Sequence, residues 1–332
     1  GEHVRAMCST GVVAISGHEI MRTDVDRVNE VARAMAIPQD RELLHAIPQE
    51  YRVDKTDGIR DPVGMIGTRL ETEMYLVTIG SSPAMNLRKS IERAGYKTRE
   101  LVLEPLASAL AVLTEEEKEL GVILIELGAG TTDLAVFHEG KIRHLGTIPY
   151  GGNAVTSDLV QGLGITNSDA EQLKEAYGCA YEPMVDAEQV IAMPASASHA
   201  ERHISRELMS HIIHQRMDEI FDKVQREVQT AGFAGRLNAG IVLTGGGAAL
   251  EGVSELAADV FGLGVRVGVP GDNVGGLVEQ IAEPRFSTAV GLALYGAHRV
   301  ALGGVIARRP SLTGAGVDKL AARVKMWLQD WF

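Results

Sequence analysis

The sequence has few cysteines and no long apolar run. Its two cysteines, Cys8 and Cys179, belong to no CxxC pair and to no Cys/His cluster, so they predict neither a disulfide framework nor a zinc site. Such cysteine usage is typical of a reducing cytoplasm. A membrane-spanning helix needs about 18 or more consecutive apolar residues, and the sequence contains no such stretch.

Basic charge is also scarce. The chain has 32 Lys and Arg residues against 44 Asp and Glu residues, which gives a formal net charge of −12. Non-specific binding of nucleic acid depends on a basic surface, so we expect no nucleic-acid partner. With 332 residues and a hydrophobic content of 45%, the chain is long enough for two or more globular domains.

The most informative stretch is 122–137, VILIELGAGTTDLAVF. An apolar, β-type run enters a tight turn of glycines and threonines, and a second apolar run follows. Such a turn lets a ligand approach the backbone, and its amides and hydroxyls suit an anion. The residues concerned are Gly128, Gly130, Thr131 and Thr132. Glu126 and Asp133 flank the turn and could hold a hydrated Mg²⁺. An ordinary β-hairpin with a glycine turn explains the same residues, and this stretch alone does not decide between the two.

Two other segments carry possible chemistry. In 239–252, an apolar strand enters the turn Gly245, Gly246 and Gly247, and a helix is predicted at 253–261. Strand, glycine turn and helix N-terminus can form a nucleotide site, although the spacing is neither the Walker nor the dinucleotide pattern. Glu104 stands in the apolar segment 101–113. It either caps the helix that Pro105 opens or orients a water molecule in the cavity of the first turn, and composition favours the cap.

Periodicity predicts the elements around these turns. The first eighty residues form an α+β unit with strands at 12–16, 42–53 and 68–79 and a helix at 23–36. Helices are predicted at 83–94, 167–177, 205–231 and 286–297. In the helix 167–177, Glu171 and Lys174 lie one turn apart, which by itself is typical of a solvated ion pair.

The last sixteen residues predict an amphipathic helix. Apolar side chains recur at i+3/i+4 spacing, and both tryptophans of the chain fall within its last six residues. Tryptophan is favoured at membrane interfaces. The predicted membrane-facing residues are Val317, Leu320, Val324, Trp327, Leu328, Trp331 and Phe332. A helix docked on the globular body is the alternative, which the Gly/Pro/Ser-containing linker before it disfavours.

Four segments stand in an order that resembles the actin/Hsp70/sugar-kinase ATPases. They are LVLEPLASAL, LIELGAGTTDLAVF, GIVLTGGGAALEG and STAVGLALYG, and they resemble the first connecting helix, second phosphate loop, adenosine loop and second connecting helix. A closer resemblance is to the bacterial cell-division family FtsA. It is carried by GIRDPVGMIGTRLE at 58–71 and by VLTEEEKELGVILIELGAGTTDLAVFHEGKIRH at 112–144.

The resemblance implies an α/β fold of the actin-like ATPase type, with ribonuclease H-like duplicated domains, a small inserted α+β subdomain 1C and a C-terminal amphipathic helix. The implied division is 1–80 for the 1C-like insert, 81–118 for the remainder of subdomain 1A, 119–151 for the first part of 2A, 152–205 for 2B, 206–300 for the second part of 2A with the connecting helix, 301–316 for a linker and 317–332 for the membrane-targeting helix.

Site residues follow by position. The resemblance implies that Gly128, Gly130, Thr131 and Thr132 hold the β- and γ-phosphates of ATP, with Glu126 and Asp133 near Mg²⁺. Glu104 would position water, Glu171 and Lys174 would lie beside the ribose and adenine, and Gly245, Gly246 and Gly247 would line the other side of the nucleoside. The family usually has Asp in place of Glu126 and Gly in place of Ala129, which could alter the metal geometry. Ala248 and Ala249 offer no polar side chain to the base.

The implied function is that of a cell-division adaptor at the cytoplasmic face of the inner membrane, at the division site. It would polymerise, tether the ring protein FtsZ through the FtsZ C-terminal peptide and recruit later division proteins. ATP would be mainly structural, with at most slow hydrolysis. The family's first phosphate loop is absent from the sequence, so we expect an incomplete chain that alone binds ATP poorly.

Three other functions fit the sequence less well. A sugar kinase of this fold would need a catalytic Asp that is not evident, and an Hsp70-type chaperone would need a substrate-binding domain. A pilus-assembly ATP-binding protein related to FtsA is disfavoured by the 58–71 segment and by the tryptophan-rich tail.

Overall fold

The computed structural model describes residues 3–17, 19–34, 37–193, 201–271 and 278–303. These residues form two compact units, one of His3–Leu103 with residues 295–303, and one of Glu104–Leu294. Most of the predicted linker and the whole predicted membrane helix, 317–332, lie outside the described residues. Within them, no helix is long and apolar enough to cross a membrane.

The N-terminal unit is an antiparallel sheet with a helix on one face. Among its described residues, four strands pair in the order β1-β4-β2-β3. Its elements are β1 (Val4–Ala14), α1 (Arg22–Arg33), β2 (Arg41–Val53), β3 (Thr56–Ile59), β4 (Arg69–Gly80) and α2 (Ser81–Arg93). Helix α1 buries Val25, Val28 and Ala32. It lies directly on β1 because Gly11 has no side chain: a Cβ there would come within 2.3 Å of the Val28 carbonyl oxygen.

Strand β1 differs from its prediction. The sequence indicated a strand at 12–16, whereas β1 runs over Val4–Ala14 and pairs without interruption from Val4 opposite Ile79 to Ala14 opposite Arg69. Before Val12 the strand contains Ala6, Ser9 and Gly11, which show little strand preference of their own. Tertiary pairing with β4 along the full length therefore outweighs local propensity.

The second unit is a mixed sheet with helices on both faces. Its described elements are α3 (Glu104–Val112), α4 (Glu115–Leu120), β5 (Val122–Leu127), β6 (Thr132–His138), β7 (Lys141–Ile148), α5 (Gly152–Leu163), α6 (Asn167–Tyr177), β8 (Val190–Met193), β9 (Arg202–Ser205), α7 (Arg206–Thr230), β10 (Ile241–Thr244), α8 (Val253–Phe261), β11 (Val265–Val267) and α9 (Ser287–Gly303). Five of these strands pair in the order β11-β10-β5-β6-β7. Strand β5 is parallel to β10 and antiparallel to β6.

Alternation along the central strand separates the two faces of this sheet. Ile123, Ile125 and Leu127 belong to a large apolar cluster that includes residues of α5, α7 and α8. We call this side the apolar face. Successive side chains of a strand point to opposite sides, so Val122, Leu124 and Glu126 point to the other side, where α3 contacts β5 and β6. We call that side the α3 face.

Several predicted bounds are close to the observed ones. The predicted helices 167–177 and 253–261 are α6 and α8, and the predicted long helix 205–231 is α7. The segment 101–113 contains only the helix α3, which begins at Glu104 itself. Helix α9 continues through Gly303, so the first three residues of the predicted linker are helical.

Candidate functional site

The first glycine loop joins β5 to β6 and is held against the start of α5. The amide of Gly128 donates to the Thr131 carbonyl oxygen at 3.0 Å, which closes the turn. The carbonyl oxygens of Gly128 and Ala129 accept hydrogen bonds from the amides of Gly152 and Asn153, at 2.9 and 2.8 Å. The first amides of α5 are therefore used by the loop itself.

A glycine makes this close approach possible. A Cβ at Gly151 would lie 2.4 Å from the Gly128 carbonyl oxygen, closer than side chains pack. At Gly130, in contrast, a Cβ would meet no atom within 4 Å. The loop is thus closed on the side of α5 and open at Gly130, and a ligand can reach its backbone from that side.

The second glycine loop, Gly245–Ala249, lies on the end of β5. Gly245 has a positive φ of 82°, and a Cβ there would lie 2.6 Å from the Leu127 carbonyl oxygen. A Cβ at Gly247 would lie 2.8 Å from the Cβ of Leu127, while Gly246 has open space around it. The two loops therefore meet at Leu127, and each has one open glycine.

A charged pair lies next to the first loop. The ammonium of Lys174 donates to the Gly152 carbonyl oxygen at 3.2 Å, to the Thr156 hydroxyl at 2.9 Å and to the Glu171 carboxylate at 2.8 Å. Partial burial raises the pKa of Glu171, but the hydrogen bonds from Lys174 and Thr156 outweigh it and hold that pKa below its ordinary value. The predicted pair is thus brought to the start of α5.

The two threonines of the first loop point in different directions. The Thr131 hydroxyl donates to Asp133 at 2.8 Å, and Thr147 donates to the other oxygen of that carboxylate at 2.6 Å. The Thr132 hydroxyl donates to the Tyr150 carbonyl oxygen at 2.9 Å, and Thr132 is fully buried. The Thr131 side chain therefore lies beside Asp133, while the buried Thr132 side chain ties the end of the loop to Tyr150. The phosphate contact predicted for Thr132 remains a prediction.

Three carboxyl groups lie near one another at the strand ends of the α3 face. Glu126 is opposite Asp133 in the hairpin register. Burial and the charge of Glu104 raise the pKa of Glu126 to about 7. Glu104 is exposed as a whole residue, yet desolvation of its carboxyl group and the charge of Asp133 raise its pKa as well. Burial and nearby like charge thus disfavour ionisation of Glu126 and Glu104.

These residues fit a nucleotide better than a directly coordinated metal. Two open glycine loops and an adjacent ammonium suit phosphate and ribose groups. Among the residues that the structure describes, no cluster of three or more His, Cys, Asp or Glu side chains could hold a metal ion. Mg²⁺ usually keeps several waters and contacts one or two carboxylates, so an ion held through water remains compatible with Asp133.

Sequence reasoning missed several residues of the site. Thr156 joins Lys174 to Glu171, and Ser108 and Thr288 both bond to Glu126. Thr156 follows Gly152 by one helical turn, so the sequence could have predicted that the two residues lie on the same face of α5. Ser108 and Thr288 are 180 residues apart, and no local pattern connects them.

The family model described as Cell division protein FtsA matches residues 123–291, and the model described as SHS2 domain inserted in FTSA matches residues 1–78. The cell division protein FtsA of Pseudomonas aeruginosa is 40% identical over 334 residues, which cover 100% of this chain and 80% of that protein. FtsA of Escherichia coli K12 is 37% identical over 339 residues, with the same coverage.

Solved structures support the fold. The PilM-PilN type IV pilus biogenesis complex matches with a TM-score of 0.60 at 17% identity, over 88% of this chain and 76% of that chain. MreB5 of Spiroplasma citri bound to ADP matches with a TM-score of 0.54 at 19% identity, over 68% of this chain and 69% of that chain. These likenesses confirm the predicted actin-like fold, and the match at 1–78 confirms the predicted inserted domain.

Proposed function

Because the chain belongs to the FtsA family of cell division proteins, we propose that it binds ATP between its two glycine loops and tethers FtsZ to the membrane. The observation that carries the nucleotide half is the meeting of both loops at Leu127, each with an open glycine. The MreB5 structure of the same fold was solved with ADP, which supports a nucleotide ligand.

The proposal gives a role to each residue of the two loops and of the adjacent charged pair. Gly128, Gly130 and Thr131 hold the β- and γ-phosphates, and Thr132 supports the loop. Glu171 and Lys174 lie beside the ribose and base, and the ammonium also attracts the phosphate charge. Gly245, Gly246 and Gly247 line the opposite side of the nucleoside.

One acidic residue is proposed to hold the Mg²⁺ ion and another to orient the water molecule. Asp133 holds Mg²⁺ through water, and the ion when bound neutralises phosphate charge. The other acid predicted near the metal, Glu126, accepts hydrogen bonds from Ser108 and Thr288. Glu104 orients a water molecule, and hydrolysis is at most slow, so the nucleotide serves mainly to stabilise the fold of the site.

The membrane half rests on the sequence of the tail. In the helix predicted for 317–332 from its sequence, one apolar face would comprise Val317, Leu320, Val324, Trp327, Leu328, Trp331 and Phe332. The cytoplasmic membrane at the division site is the proposed surface. Full burial of a large apolar side chain is worth about 1.5–3 kcal/mol, so this face can supply reversible attachment. Self-polymerisation would strengthen it by multivalency.

The proposed FtsZ contact lies in 152–205. Large apolar side chains are exposed in this segment, namely Tyr177, Met184 and Val190, and exposed apolar surface is typical of peptide-binding sites. Recruitment of later division proteins is proposed from the family alone. The net charge of −12 supports the absence of a nucleic-acid partner. The likeness to PilM concerns the fold and does not favour a pilus function.

Co-sedimentation with anionic liposomes tests the tether. We expect the protein to sediment with the liposomes and to carry FtsZ into the pellet. The double variant Trp327→Glu/Leu328→Glu should neither sediment nor carry FtsZ. The matched control Asp330→Asn changes a charge on the same segment and should retain sedimentation. Sedimentation of the double variant at the wild-type level contradicts the tether.

A peptide titration tests the FtsZ contact. We expect Val190→Glu to weaken binding of the FtsZ C-terminal peptide by about tenfold, or about 1.4 kcal/mol. Met85→Glu changes an equally exposed apolar residue outside 152–205 and should leave the affinity unchanged. Equal affinities for both variants and the wild type contradict the assignment of the contact to Val190.

A further inference from the structure

A row of polar residues crosses the α3 face of the five-stranded sheet. Glu126 pairs in register with Asp133 on one side and with Thr244 on the other. The same face is apolar further from the strand ends, where Val122 and Leu124 are fully buried. Polar residues at such positions need hydrogen-bond partners because burying them unpaired is costly.

Glu126 finds its partners on two helices and not in the glycine loop. The Ser108 hydroxyl of α3 donates to one carboxylate oxygen at 2.8 Å, and the Thr288 hydroxyl of α9 donates to the other. The two hydroxyl oxygens lie 3.0 Å apart. Ser108 is fully buried and Glu126 is 4% exposed. We call this triangle of Ser108, Glu126 and Thr288 the Glu126 clasp.

The clasp is next to the point where α3 and α9 touch. A Cβ at Gly291 would lie 1.8 Å from the Ala107 carbonyl oxygen, so the two backbones are in contact there. Thr288 is one helical turn before Gly291, and Ser108 follows Ala107. The neighbouring strand end is bonded in the same way, since the Thr244 and Ser287 hydroxyl oxygens are 2.6 Å apart. The start of α9 is therefore fixed by hydrogen bonds to two strand ends.

The length of the glutamate side chain makes this arrangement possible. An Asp at position 126 is shorter by one C–C bond of about 1.5 Å, so its carboxylate would stop short of both hydroxyls. A carboxylate that accepts a hydroxyl hydrogen bond on each oxygen, from buried Ser108 and half-buried Thr288, has about half of its acceptor sites occupied and less to offer a hydrated ion. Glu126 lies beside the first glycine loop, where a residue near Mg²⁺ was predicted, but its carboxylate is thus poorly suited to hold the ion.

We propose that Glu126 is a positioning residue that ties α3 and α9 to the end of β5, and that it is not a ligand of Mg²⁺. Helix α3 begins with Glu104, one turn before Ser108, so the same tie fixes where Glu104 lies. The statement about Mg²⁺ rests on the proposed nucleotide site, whereas the tie between the helices does not.

Hydrogen exchange without nucleotide tests the tie. Thr288→Val removes the hydroxyl at nearly constant volume, and Thr288→Ser keeps it. We expect amide exchange in α3 and in the first turns of α9 to rise by about tenfold in Thr288→Val, which corresponds to about 1.4 kcal/mol, and to stay at the wild-type level in Thr288→Ser. Ser108→Ala should raise exchange in the same two helices. Unchanged exchange in both Thr288→Val and Ser108→Ala overturns the proposal.

ATP titration with and without Mg²⁺ tests the second statement. We expect Glu126→Gln to leave the ratio of the two dissociation constants within about twofold of the wild type, since the coordination of the ion does not depend on a residue that is not its ligand. Loss of the Mg²⁺ effect in Glu126→Gln overturns the proposal. If the wild-type protein binds no ATP, the proposed function fails, no bound Mg²⁺ exists for Glu126, and hydrogen exchange alone decides the tie.

Discussion

The two faces of the five-stranded sheet are built from the same strands and differ in how they are held. The apolar face joins α5, α7 and α8 through a continuous cluster of buried apolar side chains. The α3 face is apolar only away from the strand ends and carries Asp133, Glu126 and Thr244 where the loops begin. One face is held by packing, and the other is held at its edge by directed hydrogen bonds.

This difference separates stability from chemistry. Packing is non-directional and supplies most of the free energy of folding. Hydrogen bonds between buried groups contribute less on balance but fix positions, because leaving a partner unpaired costs about 1–3 kcal/mol. We therefore expect changes on the apolar face to lower stability without altering ligand affinity, and changes at the loops to lower ligand affinity.

The largest effect is expected on the apolar face. Phe221 is fully buried, and its ring meets that of Phe261 edge-on at 5.9 Å. Phe221→Ala should lower the free energy of unfolding by about 3–5 kcal/mol, measured by urea denaturation. ATP affinity measured where the variant is folded should stay within about twofold of the wild type. A large loss of affinity in the folded variant would show that the faces are not separable.

The next effect is expected where the first loop meets α5. Gly151→Ala places a methyl group against the Gly128 carbonyl oxygen, and such overpacking typically costs about 1–3 kcal/mol. We expect a lower melting temperature together with weaker ATP binding, since the loop must move. Gly246→Ala is the matched control, because its Cβ would meet open space and should not change stability. An unaltered melting temperature for Gly151→Ala contradicts the close approach.

A smaller effect is expected at the charged pair. Lys174→Met removes an ammonium that contacts Gly152, Thr156 and Glu171. We expect ATP to bind about tenfold more weakly, or about 1.4 kcal/mol, by titration calorimetry. Lys223→Met, which removes a cation over the Tyr150 ring at 5.6 Å, serves as the control. Equal ATP affinities for the two variants would show that Lys174 takes no part in ATP binding.

The last effect is a pH dependence of stability at Glu126. Burial and Glu104 raise the pKa of Glu126 from 4.5 to about 7. Between these values the folded state holds a proton that the unfolded state has lost, so the stabilising contribution is complete below 4.5 and is lost as the pH rises through 7. Glu126→Gln cannot titrate, and its unfolding free energy should fall less steeply over this window in urea denaturation. Parallel curves for the two proteins would contradict the raised pKa.

Strong local patterns were enough to predict much of the fold. The helices at 167–177 and 253–261 have clear periodicity and end at glycines, and the structure has them at the same bounds. The strands β5, β6 and β10 and their glycine loops were also visible as apolar runs that end in glycine. Local sequence determines such elements because caps and turns act over a few residues.

Contacts between distant segments could not be predicted in this way. Ser108 and Thr288 become neighbours only because α3 and α9 cross at Ala107 and Gly291. The early start of β1 depends on pairing with β4 across the sheet. The different directions of Thr131 and Thr132 depend on the turn, since Thr131 lies before β6 and Thr132 begins it, and the sequence motif does not distinguish the two.

The central claim is that ATP binds between the two glycine loops. Titration calorimetry tests it most directly, with ATP and Mg²⁺ added to the natural full-length protein and to its Gly130→Ala variant. Gly130 is the open glycine of the first loop, so its added methyl group would occupy the space proposed for phosphate. The account predicts the same melting temperature for both proteins and ATP binding that is at least about tenfold weaker in the variant. Equal affinities, or no binding by the wild-type protein, would contradict it.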